Sequence, residues 1–222
     1  MRLLLTSGGL CNRTLRRALR DLLDKPPKSA NIAYVVTASL AESGDHGWFV
    51  ANLNRVYGLG WREFDIVDLN GLPPELVLDR LRHADVIYAE GGNHYHLARS
   101  ITDNGLADGI LDVLKDRVYV GASAGSMIFS RHLDEHSAGI VGDTADLNAL
   151  GASTLDPPFG LFDWYLKPHL YSRGFPERTD AWADRIAAQA DFPVYFIDDD
   201  TAIRVDGDET AVISEGRWLF FP

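Results

Sequence analysis

The run Val118-Tyr119-Val120-Gly121-Ala122-Ser123-Ala124-Gly125-Ser126-Met127-Ile128-Phe129 passes from an apolar strand through a turn of small residues into a helical pattern. Within it, Gly121-Ala122-Ser123-Ala124-Gly125 matches G-x-S-x-G, a turn that lifts a serine hydroxyl off the end of a strand. The turn is strained and tight, so the residues two places either side of the serine must be small. Upstream the same rhythm repeats. Leu3-Leu4-Leu5-Thr6, Ile32 to Val36, Phe64 to Val67 and Val86 to Ala89 are apolar runs of strand length. Between them, Leu15, Ala18, Leu19, Leu22 and Leu23, then Phe49, Leu53, Val56 and Tyr57, recur at helical spacing, and Pro73-Pro74 opens a short helix through Leu78 and Leu81. Leu106, Ile110, Leu111 and Leu114 continue the pattern. Strands apolar on both faces and separated by helices predict an α/β fold, a mostly parallel central sheet covered on both sides. Ligands in such sheets bind beyond the carboxyl ends of the strands, where the serine turn falls.

Downstream the character changes. Residues 131 to 168 lack clean periodicity, and a helix carrying Trp182, Ile186 and Ala187 follows. Val194 to Ile197, Thr201 to Val205, Thr210 to Ser214 and Trp218 to Phe221, with Gly207 and Gly216 at turns, read as an antiparallel C-terminal meander. No repeat or linker divides the chain, so residues 1–222 are expected to form a single α/β domain.

The chain has 222 residues, 46% hydrophobic and 24% charged, an ordinary globular composition. A net charge of −11 argues against nucleic acid and anionic membranes as partners. The clustered Arg16, Arg17 and Arg20 read as a solvated helix face. Cys11 is the only cysteine, which leaves no intrachain disulfide and no cysteine-rich zinc site. No apolar run is long enough to span a membrane, and none resembles a targeting segment. The expectation is a cytoplasmic protein, monomeric or homodimeric.

The chemistry centres on Ser123. The turn exposes its Oγ and directs the Ala124 amide at a developing oxyanion. Ser126, one turn into the helix, is the rival hydroxyl and reads as structural. Gly91-Gly92-Asn93 follows the preceding strand in the equivalent position and offers a second backbone donor; the plainer reading is a turn with Asn93 as helix cap. A general base must come from seven histidines. His132 and His136 are four apart, but the glutamate is misplaced for H-E-x-x-H, so no metal site is expected. His94 and His96 straddle Tyr95 beside the glycine pair and could line the pocket; the plainer reading is an exposed loop. His169, locked by Pro168 at a strand end, is well placed, yet spacing does not select it over the others. Asp198-Asp199-Asp200 closes an apolar strand and offers a carboxylate to fix an imidazole tautomer.

Taken together, the Leu4-Leu5-Thr6-Ser7-Gly8 start, the Gly-Gly-Asn loop, the Gly-x-Ser-Ala-Gly turn, Pro168-His169 and the acidic turn before the C-terminal strands resemble the S51 serine peptidases. These are the peptidase E, or aspartyl dipeptidase, family on the flavodoxin-like class I glutamine amidotransferase fold. The resemblance spans essentially the whole chain. It implies Ser123 as nucleophile, His169 as base and an oxyanion hole from the amides of Gly92 and Ala124. The acid aligns best with Asp199, where related enzymes carry Glu; Asp198 competes, and Asp134, Asp143 and Asp146 are more distant alternatives. The implied reaction is acyl transfer from a small peptide, with no metal or organic cofactor.

Peptidase E prefers an N-terminal aspartate, which an arginine would grip bidentately. Arg173 and Arg178 are the candidates, with Asn93 as a further substrate contact. The competing reading of either arginine is a surface residue paired with Glu177 or Asp180. Three other functions compete with the peptidase. An α/β-hydrolase esterase would need the order Ser, acid, His, which this chain lacks. A cyanophycinase-like hydrolase of the same family would be expected to have a longer chain. An inactive or regulatory amidotransferase-like binding module would carry no activated serine.

Overall fold

The computed structural model describes residues 1–151 and 155–222. The strands are β1 (Arg2–Thr6), β2 (Asn31–Val35), β3 (Glu63–Val67), β4 (Val86–Ala89), β5 (Val118–Ala122), β6 (Tyr165–Lys167), β7 (Val194–Ile197), β8 (Thr201–Asp206), β9 (Glu209–Ser214) and β10 (Trp218–Phe221). The helices are α1 (Arg13–Leu23), α2 (Thr37–Leu40), α3 (Gly47–Tyr57), α4 (Pro74–His83), α5 (His94–Asp103), α6 (Ala107–Val113), α7 (Ala124–Met127), α8 (Glu135–Val141), α9 (Thr144–Asn148) and α10 (Asp180–Ala187). Among the described residues, no helix is long and apolar enough to cross a membrane.

The larger sheet runs β3-β2-β4-β5-β1-β8-β9. Its first five strands pair in parallel; β8 and β9 close the far edge antiparallel. Alternate residues of each strand face opposite layers, as a period of two requires. Leu3, Leu5, Ala33, Val35, Ile87, Ala89 and Tyr119 pack into one core with α4, α5 and α6. Leu4, Ile32, Tyr34, Val86, Tyr88, Val118 and Val120 pack into the other with α1 and α3. The helices therefore cover both faces, as the apolar strands predict. From β2 the chain leads outward to β3, whereas from β4 it leads inward to β5. Ligands of such sheets bind at the carboxyl ends near that change of direction, and the residues that follow β1, β4 and β5 border a cavity there.

The C-terminal strands are antiparallel in part, but they are divided between two sheets. β8 and β9 form a hairpin on the main sheet, while β7 pairs antiparallel with β10 and parallel with β6 in a second, three-stranded sheet. Period-two alternation reports a half-buried strand, not which neighbour it takes. Within the aperiodic stretch 131–168, α8 and α9 are too short to display a helical repeat; residues 152–154 of it lie outside the described residues. His94 and His96 sit on α5, not in a loop, with Asn93 as its cap: Asn93 Oδ1 accepts from His96 N at 2.9 Å. His132 precedes α8 and stacks on Phe192, so it does not share a helix face with His136.

Candidate active site

Four side chains meet because two pairs of parallel strands, one in each sheet, end together. β1 and β5 are neighbours in register, Thr6 opposite Ala122, so the next residues, Ser7 and Ser123, lie side by side. Ser123 N donates to the carbonyls of Thr6 and Ser7, both at 3.0 Å, bracing the turn on β1. β6 and β7 are likewise parallel, Lys167 opposite Phe196, and Leu170 N donates to Ile197 O at 3.0 Å. The residues just beyond them, His169 and Asp199, are thereby brought together.

Ser123 takes φ 47° and ψ −109°, a conformation unusual for a residue with a Cβ and costing about 1–3 kcal/mol. The reason for the glycines is visible in the packing. A Cβ on Gly125 would stand 2.2 Å from Ala89 O, and one on Gly121 2.6 Å from Ser126 N. The helix that follows, α7, is a single turn, shorter than the apolar run to Phe129 suggests. Ser126 Oγ donates to Thr6 O at 2.8 Å and is buried, the structural role expected of it.

Ser123 Oγ lies 2.8 Å from His169 Nε2, and His169 Nδ1 lies 2.6 Å from Asp199 Oδ1. A hydroxyl, an imidazole and a carboxylate bonded in series can move a proton from oxygen to nitrogen while a fixed charge steadies the cation. His169 itself has φ 66°, and its ring stacks on Phe175 at 4.9 Å. Burial raises the Asp199 carboxyl, but the hydrogen bond and charge of His169, with a further bond from Ser7, outweigh it and hold the group at about 2. Asp198 is turned away. Its Oδ1 accepts from Thr201 Oγ1 at 2.6 Å and its Oδ2 from the Arg217 amide, so it ties the turn together.

Gly92 is the second close approach. Its φ is +130°, and a Cβ there would stand 2.3 Å from Ala38 O. Ala124, as the first residue of its helix, has an amide with no intrahelical partner. Among the described residues, the Gly92 amide has no protein acceptor either.

These groups border a cavity of about 640 Å³. Arg178 lines it, with its guanidinium 3.8 Å from the Phe175 ring and Nη1 donating to Pro168 O at 3.0 Å. Arg173 is exposed and does not line it. Asn93 is not a cavity residue: its amide is used by His96 N on one side and by Asp146 O, at 3.0 Å, on the other. Asp134 caps α8.

Three buried groups in the cavity wall escaped sequence reasoning. Ser7 Oγ accepts from His169 N and donates to Asp199 Oδ1, both at 2.8 Å. Glu90, 2% exposed, accepts from Tyr34 Oη, from Asn52 Nδ2 at 2.7 Å and from Gly91 N at 2.8 Å. Burial pushes its carboxyl up to about 8. Lys167 is ion-paired with Asp143, whose other oxygen accepts from Tyr165 Oη at 3.0 Å. Burial raises the Asp143 carboxyl, but the charges of Lys167 and His94 with the hydrogen bonds from Lys167 and Tyr165 together outweigh it and keep Asp143 below its ordinary value. Beside them burial lowers His94 to about 4. A polar residue closing an apolar strand, as in Ala89-Glu90-Gly91 and Leu166-Lys167-Pro168, was the one available signal.

Comparison with known proteins agrees with this architecture. The model of "Peptidase family S51" matches residues 3–213. A probable alpha-aspartyl dipeptidase of Drosophila melanogaster is 28% identical over 221 residues, covering 99% of this chain and 88% of the relative. Peptidase E of Streptomyces coelicolor is 25% identical over 202 residues, covering 90% and 78%. The crystal structure of a protein from Listeria monocytogenes EGD-e, provisionally named peptidase E, superposes with a TM-score of 0.77 at 22% identity and shares the fold over 97% of this chain and 98% of its own. A match over nearly the full length, on two sheets whose strand ends bring together a serine, a histidine and an aspartate, shows that the chain belongs to peptidase family S51 and is a serine-type peptidase.

Proposed function

We propose that this peptidase hydrolyses small peptides with an N-terminal aspartate through an acyl-enzyme on Ser123. The observation that carries the reading is the bonded series Ser123–His169–Asp199, with 2.8 Å and 2.6 Å links. His169 takes the Ser123 proton as Oγ attacks the scissile carbonyl. The amides of Gly92 and Ala124 receive the oxyanion, an effect worth about 10²–10³ in rate per donor. The imidazolium protonates the leaving amine, and water then releases the acyl group by the same path. Asp199 fixes the tautomer and stabilises the cation.

Arg178 is the group that would receive a first-residue carboxylate. It lines the cavity, and Phe175 stacks on both it and His169, tying the specificity group to the base. Among the described residues its one ion pair is with Glu177, at 3.8 Å, and the charges of Asp143 and Asp146 also act on it. The Drosophila relative's name, an alpha-aspartyl dipeptidase, supports the same substrate.

The test is turnover of a series of X-Leu dipeptides by the wild type and Ser123→Ala. Hydrolysis of Asp-Leu ahead of Asn-Leu and Ala-Leu, abolished by the substitution, is the expected result. Equal turnover across the series would remove the aspartate reading. Unchanged turnover by Ser123→Ala would remove Ser123 as nucleophile.

A further inference from the structure

One cation in the cavity has no assigned work. Arg55, on α3, lines the same cavity as Arg178. The two reach it from opposite faces of the sheet. Arg55 lies between Leu53 and Val56, which pack into the α1–α3 core, whereas Arg178 lies between Leu170 and Ala183, which belong to the other. Arg55 is half-buried, yet Nη1 touches only neutral acceptors: Asn52 Oδ1 at 3.1 Å and Gly8 O at 3.3 Å. Among the described residues no carboxylate pairs with it, in a chain with a net charge of −11. The carboxyl in the same wall, Glu90, is held toward its neutral form by burial, and its oxygens are engaged by Tyr34, Asn52 and Gly91. Nothing on its own wall therefore satisfies the Arg55 charge. The guanidinium has five donors, and Nη2 and Nε are uncommitted to protein acceptors among the described residues.

In the reading above, Arg178 takes the first residue, which leaves Arg55, reaching the same cavity from the opposite face, for the second. The leaving nitrogen must face His169 Nε2, the nitrogen bonded to Ser123, to be protonated. In a dipeptide that nitrogen is only two bonds from the terminal carboxylate. We propose that Arg55 receives the α-carboxylate of the second residue, making the cavity a receptor for dipeptides with a carboxylate at each end. The proposal rests on the aspartyl peptidase reading above, in which Arg178 holds the first-residue carboxylate. It makes Arg55 a determinant of length: a longer substrate places a neutral peptide group where the charge is met.

The experiment is a grid of kcat/KM values for Asp-Leu, Asp-Leu-amide, Asp-Leu-Gly, Ala-Leu and Ala-Leu-amide, with wild type, Arg55→Gln and Arg55→Lys. Charge-assisted hydrogen bonds of this kind predict a wild-type preference for the free acid over the amide of about 10–100-fold. Arg55→Gln lowers the free-acid value by a similar factor, mainly through KM, so that the acid-to-amide ratio falls toward one; Arg55→Lys recovers part of it. A wild type indifferent to amidation, or Arg55→Gln losing acid and amide substrates equally, overturns the proposal. An acid preference that persists without any preference for Asp over Ala removes the Arg178 reading and leaves this one standing. Absence of dipeptide turnover overturns it.

Discussion

Ser7 Oγ donates to Asp199 Oδ1 at 2.8 Å while accepting the His169 backbone amide at the same distance. One hydroxyl thus fixes the Asp199 carboxylate and the chain carrying His169. The link spans two sheets, since Ser7 ends β1 on the main sheet and Asp199 and His169 end strands of the smaller one. Asp199 sits beyond β7, and Gly8 lets β1 run against it. Ser7→Ala leaves a half-buried carboxylate oxygen short of a donor and the His169 amide without its acceptor. Small misplacements of reacting groups are costly, up to about 10²-fold for an ångström. The variant is expected to lose about 10–100-fold in kcat with KM nearly constant. Acylation of Ser123 by a fluorophosphonate should slow in parallel. A change confined to KM would show that Ser7 acts on substrate instead.

Asp199 and Asp198 are adjacent in sequence but differ in task. Asp199→Asn is expected to lower kcat by about 10⁴, the size of effect seen when the imidazole takes the wrong tautomer. Asp198→Asn should keep kcat within about twofold and lose about 1–2 kcal/mol of stability, because Thr201 Oγ1 and the Arg217 amide lose a charged acceptor. Kinetics and urea unfolding of both variants separate the roles. A large kcat loss in Asp198→Asn would reassign the acid.

The parallel sheet was legible because its strands are apolar on both faces, and Ser123 was legible because Gly121 and Gly125 are forced by contacts under 3 Å. Pro168-His169 and the acidic turn stood out as punctuation after strands. What sequence could not supply was adjacency between strands. That β6 and β7 are parallel neighbours is what sets His169 beside Asp199, and it also splits the C-terminal strands between two sheets. Ser7, Glu90 and Lys167 were hidden for a related reason: each is a polar residue whose partners are distant in the chain. Arg173 and Arg178 looked equivalent until the fold turned only one toward the cavity.

Glu90 gives a pH dependence of stability. Its folded value, about 8, lies above the ordinary 4.5 because burial disfavours the anion. Below pH 4.5 both states hold the proton. As pH rises the unfolded chain releases it and the folded chain does not, so the folded state binds more protons and stability falls. The loss is complete once pH passes about 8. Its size is on the order of a few kcal/mol. Glu90→Gln cannot titrate, so its urea midpoint should decline less between pH 5 and 9 than that of the wild type. Identical slopes for the two proteins would show that Glu90 ionises as an ordinary carboxyl.

The Lys167–Asp143 pair tests whether the cavity wall is held by charge or by packing. Both side chains are almost wholly buried, and Tyr165 Oη supplies Asp143 with a second donor. Attraction between buried charges largely offsets their desolvation, so the pair adds little net stability, but removing one partner strands the other. Lys167→Met should therefore cost about 3–5 kcal/mol. Asp143→Leu combined with Lys167→Met removes both charges and should recover most of that loss. Urea unfolding of the single and double variants measures the coupling. A double variant no more stable than Lys167→Met would mean that the loss comes from the shape of the Lys167 side chain, not from the charge left on Asp143. If the coupling holds, the double variant also shows what the pair does for catalysis, since the strand end carrying Lys167 leads directly into Pro168 and His169. Any fall in kcat that remains after stability is restored measures how far this ion pair holds His169 against Ser123.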